Sequence, residues 1–139
     1  MAELSELLVD SWPVMEWLKG RQPAAAKFRE LIERTLAGEI ALSMSRMNYG
    51  EVIYSIRKDL PPHLREQALA AFLQMPMHFY SVDDQLVDEA AALKAVYKIS
   101  YADAFAAALA LRLNVPVVTG DPDFIKLSPI GLQLYWVGA

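Results

Sequence analysis

Two short apolar runs in this chain each lead into an aspartate, which restricts it to folds where strand ends gather charge at one edge. The first is Leu7-Leu8-Val9-Asp10; the second is Val115-Pro116-Val117-Val118-Thr119, followed by Gly120-Asp121. Short, β-branched apolar runs bounded by turn residues read as buried strands. Just before the second run, Tyr101–Leu113 is an Ala/Leu helix with Asp103 near its start. Together these form a helix–strand–turn unit of an α/β domain.

The rest of the chain repeats that alternation. A strand over Leu4–Asp10 leads into a helix capped by Ser11 or Trp12, with Pro13 in its first turn and Gly20 closing it after Lys19. Pro23 opens a second helix to Leu36, and Glu39–Met44 reads as a second strand. Helices follow over Arg46–Lys58 and Pro62–Gln74, then a strand over Met77–Val82 and a helix over Asp83–Lys98. A short helical turn at Pro122–Leu127 and a strand at Leu132–Val137 complete the series. Strands alternating with helices predict a parallel sheet of about five strands in a three-layer α/β/α sandwich. In such sheets ligands bind beyond the carboxyl ends of the strands, where Asp10 and Asp121 fall.

A chain of 139 residues, 55% of them apolar, suits a single domain over residues 1–139. Its apolar runs, such as Ala104–Leu111, fall far short of the roughly 20 residues of a membrane span. The start, Met1–Glu6, is acidic where a signal peptide is basic, and there is no cysteine. These features lead us to expect a soluble, cytoplasmic protein with no membrane association. A net charge of −4 argues against coating nucleic acid by bulk electrostatics, leaving a locally basic groove as the alternative.

Each acid has an ordinary structural reading. Asp121 precedes Pro122 as an N-cap would, Asp103 lies three residues after Ser100 as in a capping box, and Asp10 suits an Asx turn. Glu51 has the weakest such reading. It lies mid-helix among apolar residues, with Asn48 and Ser55 on its face, and such a seam either meets solvent or lines a site. Gly50 beside it costs roughly 1 kcal/mol relative to alanine, consistent with close approach of a ligand or of another helix. Taken jointly, carboxylates without cysteine form a hard oxygen site suited to Mg²⁺ or Mn²⁺. One or two such ions, about 4 Å apart when paired, bind a phosphodiester, activate water and stabilise the leaving oxygen.

Four stretches resemble the PIN-domain nucleases, and among them the VapC-type toxins of toxin–antitoxin pairs. They are LLVDSW around Asp10, MNYGEVIY around Glu51, SYADAFAAALAL around Asp103 and VPVVTGDPDF around Asp121, in the family's order across nearly the whole chain. The resemblance implies a PIN-like fold and a metal-dependent endoribonuclease with Asp10, Glu51, Asp103 and Asp121 as its acidic cluster. Asp123 is a further ligand candidate, and Ser11, Asn48 and Thr119 are candidates to orient the ligands from behind. It also implies an RNA substrate, a cognate antitoxin and a homodimer. Lys19, Arg21, Arg46 and Lys126 are the cations available to flank the crevice and hold RNA, although any of them also suits an ordinary surface position.

Trp12 and Trp17 lie five residues apart on one helix and cannot face the same way; the core is the usual place for helix tryptophans, and the alternative is one exposed indole that docks a partner helix. Met47, Tyr49 and Tyr54 are placed to extend such a patch. His63 and His78 stand apart from any serine or carboxylate motif, so no Ser/His/Asp triad is supported. Neither a Walker A sequence nor GxGxxG occurs. The competing reading is a non-catalytic PIN-fold interaction module whose acids are caps and surface charge.

Overall fold

The computed structural model describes residues 5–139. In chain order the elements are β1 (Ser5–Val9), α1 (Ser11–Leu18), α2 (Ala24–Leu36), β2 (Ile40–Ser45), α3 (Arg46–Asp59) and α4 (Pro62–Leu73). These are followed by β3 (Met77–Tyr80), α5 (Asp84–Val96), α6 (Tyr101–Leu113), β4 (Val117–Thr119), a 3-10 segment (Pro122–Ile130) and β5 (Leu134–Trp136). The sheet runs β3-β2-β1-β4-β5 with every pair parallel. That is the expected architecture. Leu4, where the first strand was expected to begin, lies outside the described residues.

Alternation along β1 divides the interior. Successive strand side chains point to opposite faces, so Leu7 and Val9 pack with α1–α4 while Leu8 packs with α5, α6 and the 3-10 segment. Val118 and Val117 divide in the same way on β4. The result is three layers, with β1 buried on both faces as a central parallel strand requires. Phe28, Phe72 and Met44 fill the first core; Phe124, Leu109 and Leu127 fill the second. Nine of the thirteen residues of α6 are buried, which explains its alanines: small side chains allow the backbone to lie close to the sheet and α5.

Several boundaries differ from the sequence reading, each for a local reason. Asp10 itself, not Ser11 or Trp12, takes the N-cap position of α1, leaving Pro13 inside the first turn. The fifth helix starts after Asp83, whose carboxylate accepts the Leu86 N–H, and ends at Val96 rather than Lys98. Strand β3 stops at Tyr80, two residues early, and the turn after Asp121 extends to Ile130 before Gly131 closes it at φ 82°. Both tryptophans are partly buried against the first core, in keeping with the core reading. Trp17 packs edge-on to Phe28, and Trp12 lies against the Gly120 backbone.

The strand order has a chemical consequence. The chain moves from β1 outward to β2 and β3, then crosses back to place β4 on the other side of β1. The topological switch point therefore lies between β1 and β4, which pair through Val9 and Val118. One residue beyond Val9 is Asp10, and two beyond Thr119 is Asp121. A side chain at Gly120, between these strand ends, would overlap the Trp12 ring and approach the Gly138 Cα to 2.9 Å. Gly120→Ala is expected to destabilise the fold by about 1–3 kcal/mol, because indole and backbone must both move; urea denaturation against the parent chain measures this.

Candidate metal centre

The cleft at the switch point measures about 310 Å³ and draws its walls from four separate segments. Asp10 and Ser11 come from the start of α1, Glu51 from α3, Asp103 from α6, and Asp121 and Asp123 from the start of the 3-10 segment. Positions up to 113 residues apart in sequence thus share one hollow because strand ends and helix starts meet at this edge of the sheet.

Asp10 is the most enclosed of the acids, only 1% exposed. Although it sits at an N-cap position, its carboxylate makes no cap bond. Its oxygens instead accept from Thr119 Oγ1 at 3.1 Å, Ser11 Oγ at 3.4 Å and Asn48 Nδ2 at 3.5 Å. Burial, followed by repulsion from Asp103 and Glu51, raises its pKa well above the usual carboxylate value. The single Ser11 hydroxyl hydrogen is shared between Asp10 and Glu51, joining the α1 and α3 sides of the cleft.

Thr119 joins the other pair of walls. Its hydroxyl donates to Asp10 and accepts the Asp121 N–H at 3.1 Å, so one side chain sets both strand-end acids. Asn48 is fully buried and held from three directions. Its Nδ2 donates to the Ala102 carbonyl at 3.3 Å, and its N–H and Oδ1 both meet the Ser45 hydroxyl. The polar seam read on α3 therefore splits, with Asn48 facing inward and Glu51 and Ser55 lining the cleft.

Asp103, Asp121 and Asp123 bring carboxylate oxygens within 4.8 Å of one another. The capping readings hold alongside this convergence. Ser100 Oγ accepts the Asp103 N–H at 3.1 Å, and Asp121 Oδ1 accepts the Asp123 N–H at 2.9 Å. Caps thus fix the backbone at these acids, and a carboxylate oxygen of each still meets its neighbours. Burial first, then repulsion from Asp121, pushes the Asp103 pKa up to about 7. The donor set is entirely oxygen, and its mutual repulsion is what a hard divalent cation relieves. These residues fit such an ion.

The four candidate cations separate. Lys19 lines the cleft and lies 3.6 Å from Asp59. Lys126 is engaged with Asp123 at 2.8 Å and the Lys98 carbonyl at 3.0 Å. Arg21 pairs with Glu16 at 3.7 Å, outside the cleft lining, while Arg46 stacks over Tyr49 and Phe79, 4.8 Å from each ring centroid. His63 and His78 are exposed and away from the cleft. Glu16 lines it and was missed in the sequence; its i−4 and i+3 spacings to Trp12 and Lys19 place all three on one helix face.

A PIN-domain family profile matches residues 7–128, a span containing every acid described above. The chain belongs to the PIN-domain family. PIN domains are nucleases that generally use divalent metal ions, in keeping with this oxygen cluster. No curated protein matches the sequence. Among solved structures, this PIN domain resembles DNA-bound VapBC from Salmonella typhimurium, with 17% identity, TM-score 0.70 and coverage of 95% of this chain and 98% of that one. VapBC2 of Rickettsia felis, bound to a promoter DNA fragment, gives 17%, 0.69, 94% and 97%. VapC20 of Mycobacterium tuberculosis, a toxin that cleaves the sarcin–ricin loop, gives 16%, 0.68, 93% and 98%. At these identities the likeness is one of fold.

The raised acids make a pH prediction for the metal-free protein. A carboxyl with a raised folded-state pKa stabilises the fold fully below its unfolded value of about 3.9 and loses that contribution as pH rises through the folded value. In EDTA the urea midpoint should therefore fall between pH 5 and pH 8, Asp103 titrating near 7. Asp103→Asn should flatten part of that fall, and equal slopes in parent and variant would contradict the assignment.

Proposed function

We propose that this PIN domain is a VapC-type endoribonuclease that hydrolyses RNA phosphodiester bonds with Mg²⁺ or Mn²⁺. One observation carries the reading: Asp10 occupies a helix N-cap, makes no cap bond, and is buried facing Asp103 and Glu51. An interaction module that used its acids only as caps would have no reason to bury a carboxylate against two others, since that arrangement costs stability.

In this reading Asp10, Glu51, Asp103, Asp121 and Asp123 hold the cation. A divalent ion held there would supply charge neutralisation at the phosphate and a more acidic bound water. The chain supplies the positioning. Thr119 fixes Asp10 relative to Asp121, Ser11 spans Asp10 and Glu51, and Asn48 ties α3 to the start of α6 through Ala102. Of the four candidate cations Lys19 alone lines the cleft, and we assign it to a phosphate of the RNA. Lys126, Arg21 and Arg46 are assigned to more distant backbone contacts.

The VapC-type reading brings with it a cognate antitoxin, a homodimer and action in the cytoplasm; no helix among the described residues is long and apolar enough to cross a membrane. The hollow of about 330 Å³ beside Trp17, lined also by Leu18, Leu60 and Leu64, suits an apolar antitoxin segment.

Incubation of the purified chain with a broad pool of structured RNA tests the activity. Cutting should require Mn²⁺ or Mg²⁺, stop in EDTA, and fall at least about a hundredfold in Asp10→Asn. The variant should remain folded and at least as stable, since a like charge is removed. Undiminished cutting in EDTA or by Asp10→Asn would refute the metal mechanism.

A further inference from the structure

Among the described residues one ion pair alone engages the trio Asp103, Asp121 and Asp123. Lys126 Nζ lies 2.8 Å from Asp123 Oδ1, three residues back along the 3-10 segment. Residues three apart eclipse in a 3-10 helix, so the geometry of the segment lays the lysine over this acid. Neither partner is deep, with 46% of the lysine side chain and 43% of the aspartate side chain exposed.

The ammonium has a second anchor. It donates to the Lys98 carbonyl at 3.0 Å, in the turn between α5 and α6. Two residues on, Ser100 caps the Asp103 N–H. No other hydrogen bond or ion pair among the described residues joins the 3-10 segment to that turn. One lysine thus spans the two elements from which the trio is drawn, a double hold that a solvated surface lysine does not have.

This placement sets two cations against each other. Asp123 offers a carboxylate oxygen within 4.8 Å of oxygens of Asp103 and Asp121, so the three acids can share one hard ion. The Lys126 ammonium already neutralises part of that charge. It also repels an incoming divalent ion across a few ångströms, a range at which even bulk water leaves unit charges interacting appreciably. Lys94 gives the contrast: its Nζ donates to the next carbonyl along the turn, that of Ile99, at 2.8 Å, and pairs with none of the three acids.

We propose that Lys126 is a resident competitor at the metal centre: its ammonium neutralises Asp123 and has to yield before the trio can engage a divalent cation in full, so that Lys126 sets how tightly the cation binds. The inference rests on the metal-centre reading and makes its own claim about affinity. Released from Asp123, the half-exposed ammonium is free to meet a backbone phosphate of the RNA.

Mn²⁺ binding without RNA, read from the electron paramagnetic resonance signal of the free ion, tests the competition. At low ionic strength Lys126→Met should bind Mn²⁺ about three- to tenfold more tightly, the effect of one partly solvated charge removed from beside a divalent ion. Lys126→Arg keeps the charge and should stay within about twofold of the parent. Lys94→Met should do the same, since it removes a charge from the same turn but not from Asp123. Unchanged or weaker binding by Lys126→Met would overturn the proposal, weaker binding marking the lysine as a structural tie between the two elements. So would an equal gain in Lys126→Arg, which would implicate shape rather than charge, or in Lys94→Met, which would implicate net charge rather than the contact. A parent chain that leaves the Mn²⁺ signal unaltered would refute the metal centre itself and the competition with it.

Discussion

A carboxylate buried at the junction of two strands sets the terms for the rest of this structure. Asp10 is placed one residue past β1, where hydration is lost and two further acids face it. Such a group persists in a fold only when its surroundings over-determine it. Here that task falls to Thr119 from β4, Asn48 from α3 and the neighbouring Ser11. Each of these is itself buried, and each sits on or beside an element packed into the first apolar core. The hydrophobic layers thus provide the stability that the acidic edge gives up.

The opposition has a functional logic. Preorganised charge is costly before the ligand arrives and useful afterwards, because no reorganisation is then needed. Burial and mutual repulsion raise the pKa of Asp10 and of Asp103, so binding of a hard cation there would be linked to proton release. The caps contribute to the same end. Ser100 and Asp121 pin the backbone N–H groups of Asp103 and Asp123, so helix-start chemistry and the convergence of the carboxylates use the same residues. Capping and carboxylate convergence therefore do not compete here.

Much of this was legible in the linear chain. Alternating strand and helix periods led to the parallel three-layer fold, and apolar runs ending on Asp10 and Asp121 marked the edge where a site would form. Boundaries slipped where a side chain had two possible jobs. Asp10 and Ser11 both suit a cap, and only packing decided that Asp10 takes the position without capping. Trp12 and Trp17 point to different sides of one helix, and helical spacing does not tell that Gly120 and Phe28 cover those sides from elsewhere. Glu16 passed unnoticed for a related reason, its helix face lining the cleft only because α3 and the 3-10 segment close around it.

The sequence alone determined the periodicities, the short apolar strands, the all-oxygen chemistry of the acids and the presence of caps beside them, since these depend on residues near one another in the chain. Tertiary structure decided which acids meet. The order β3-β2-β1-β4-β5 places β4 next to β1, and that adjacency brings Asp121 to Asp10 across more than a hundred residues. It also brought Asp123 to within 4.8 Å of Asp103, set Lys19 apart from the other cations, and left Tyr54 and Tyr101 exposed. Such facts depend on distances through space, which local propensity does not encode and strand pairing does.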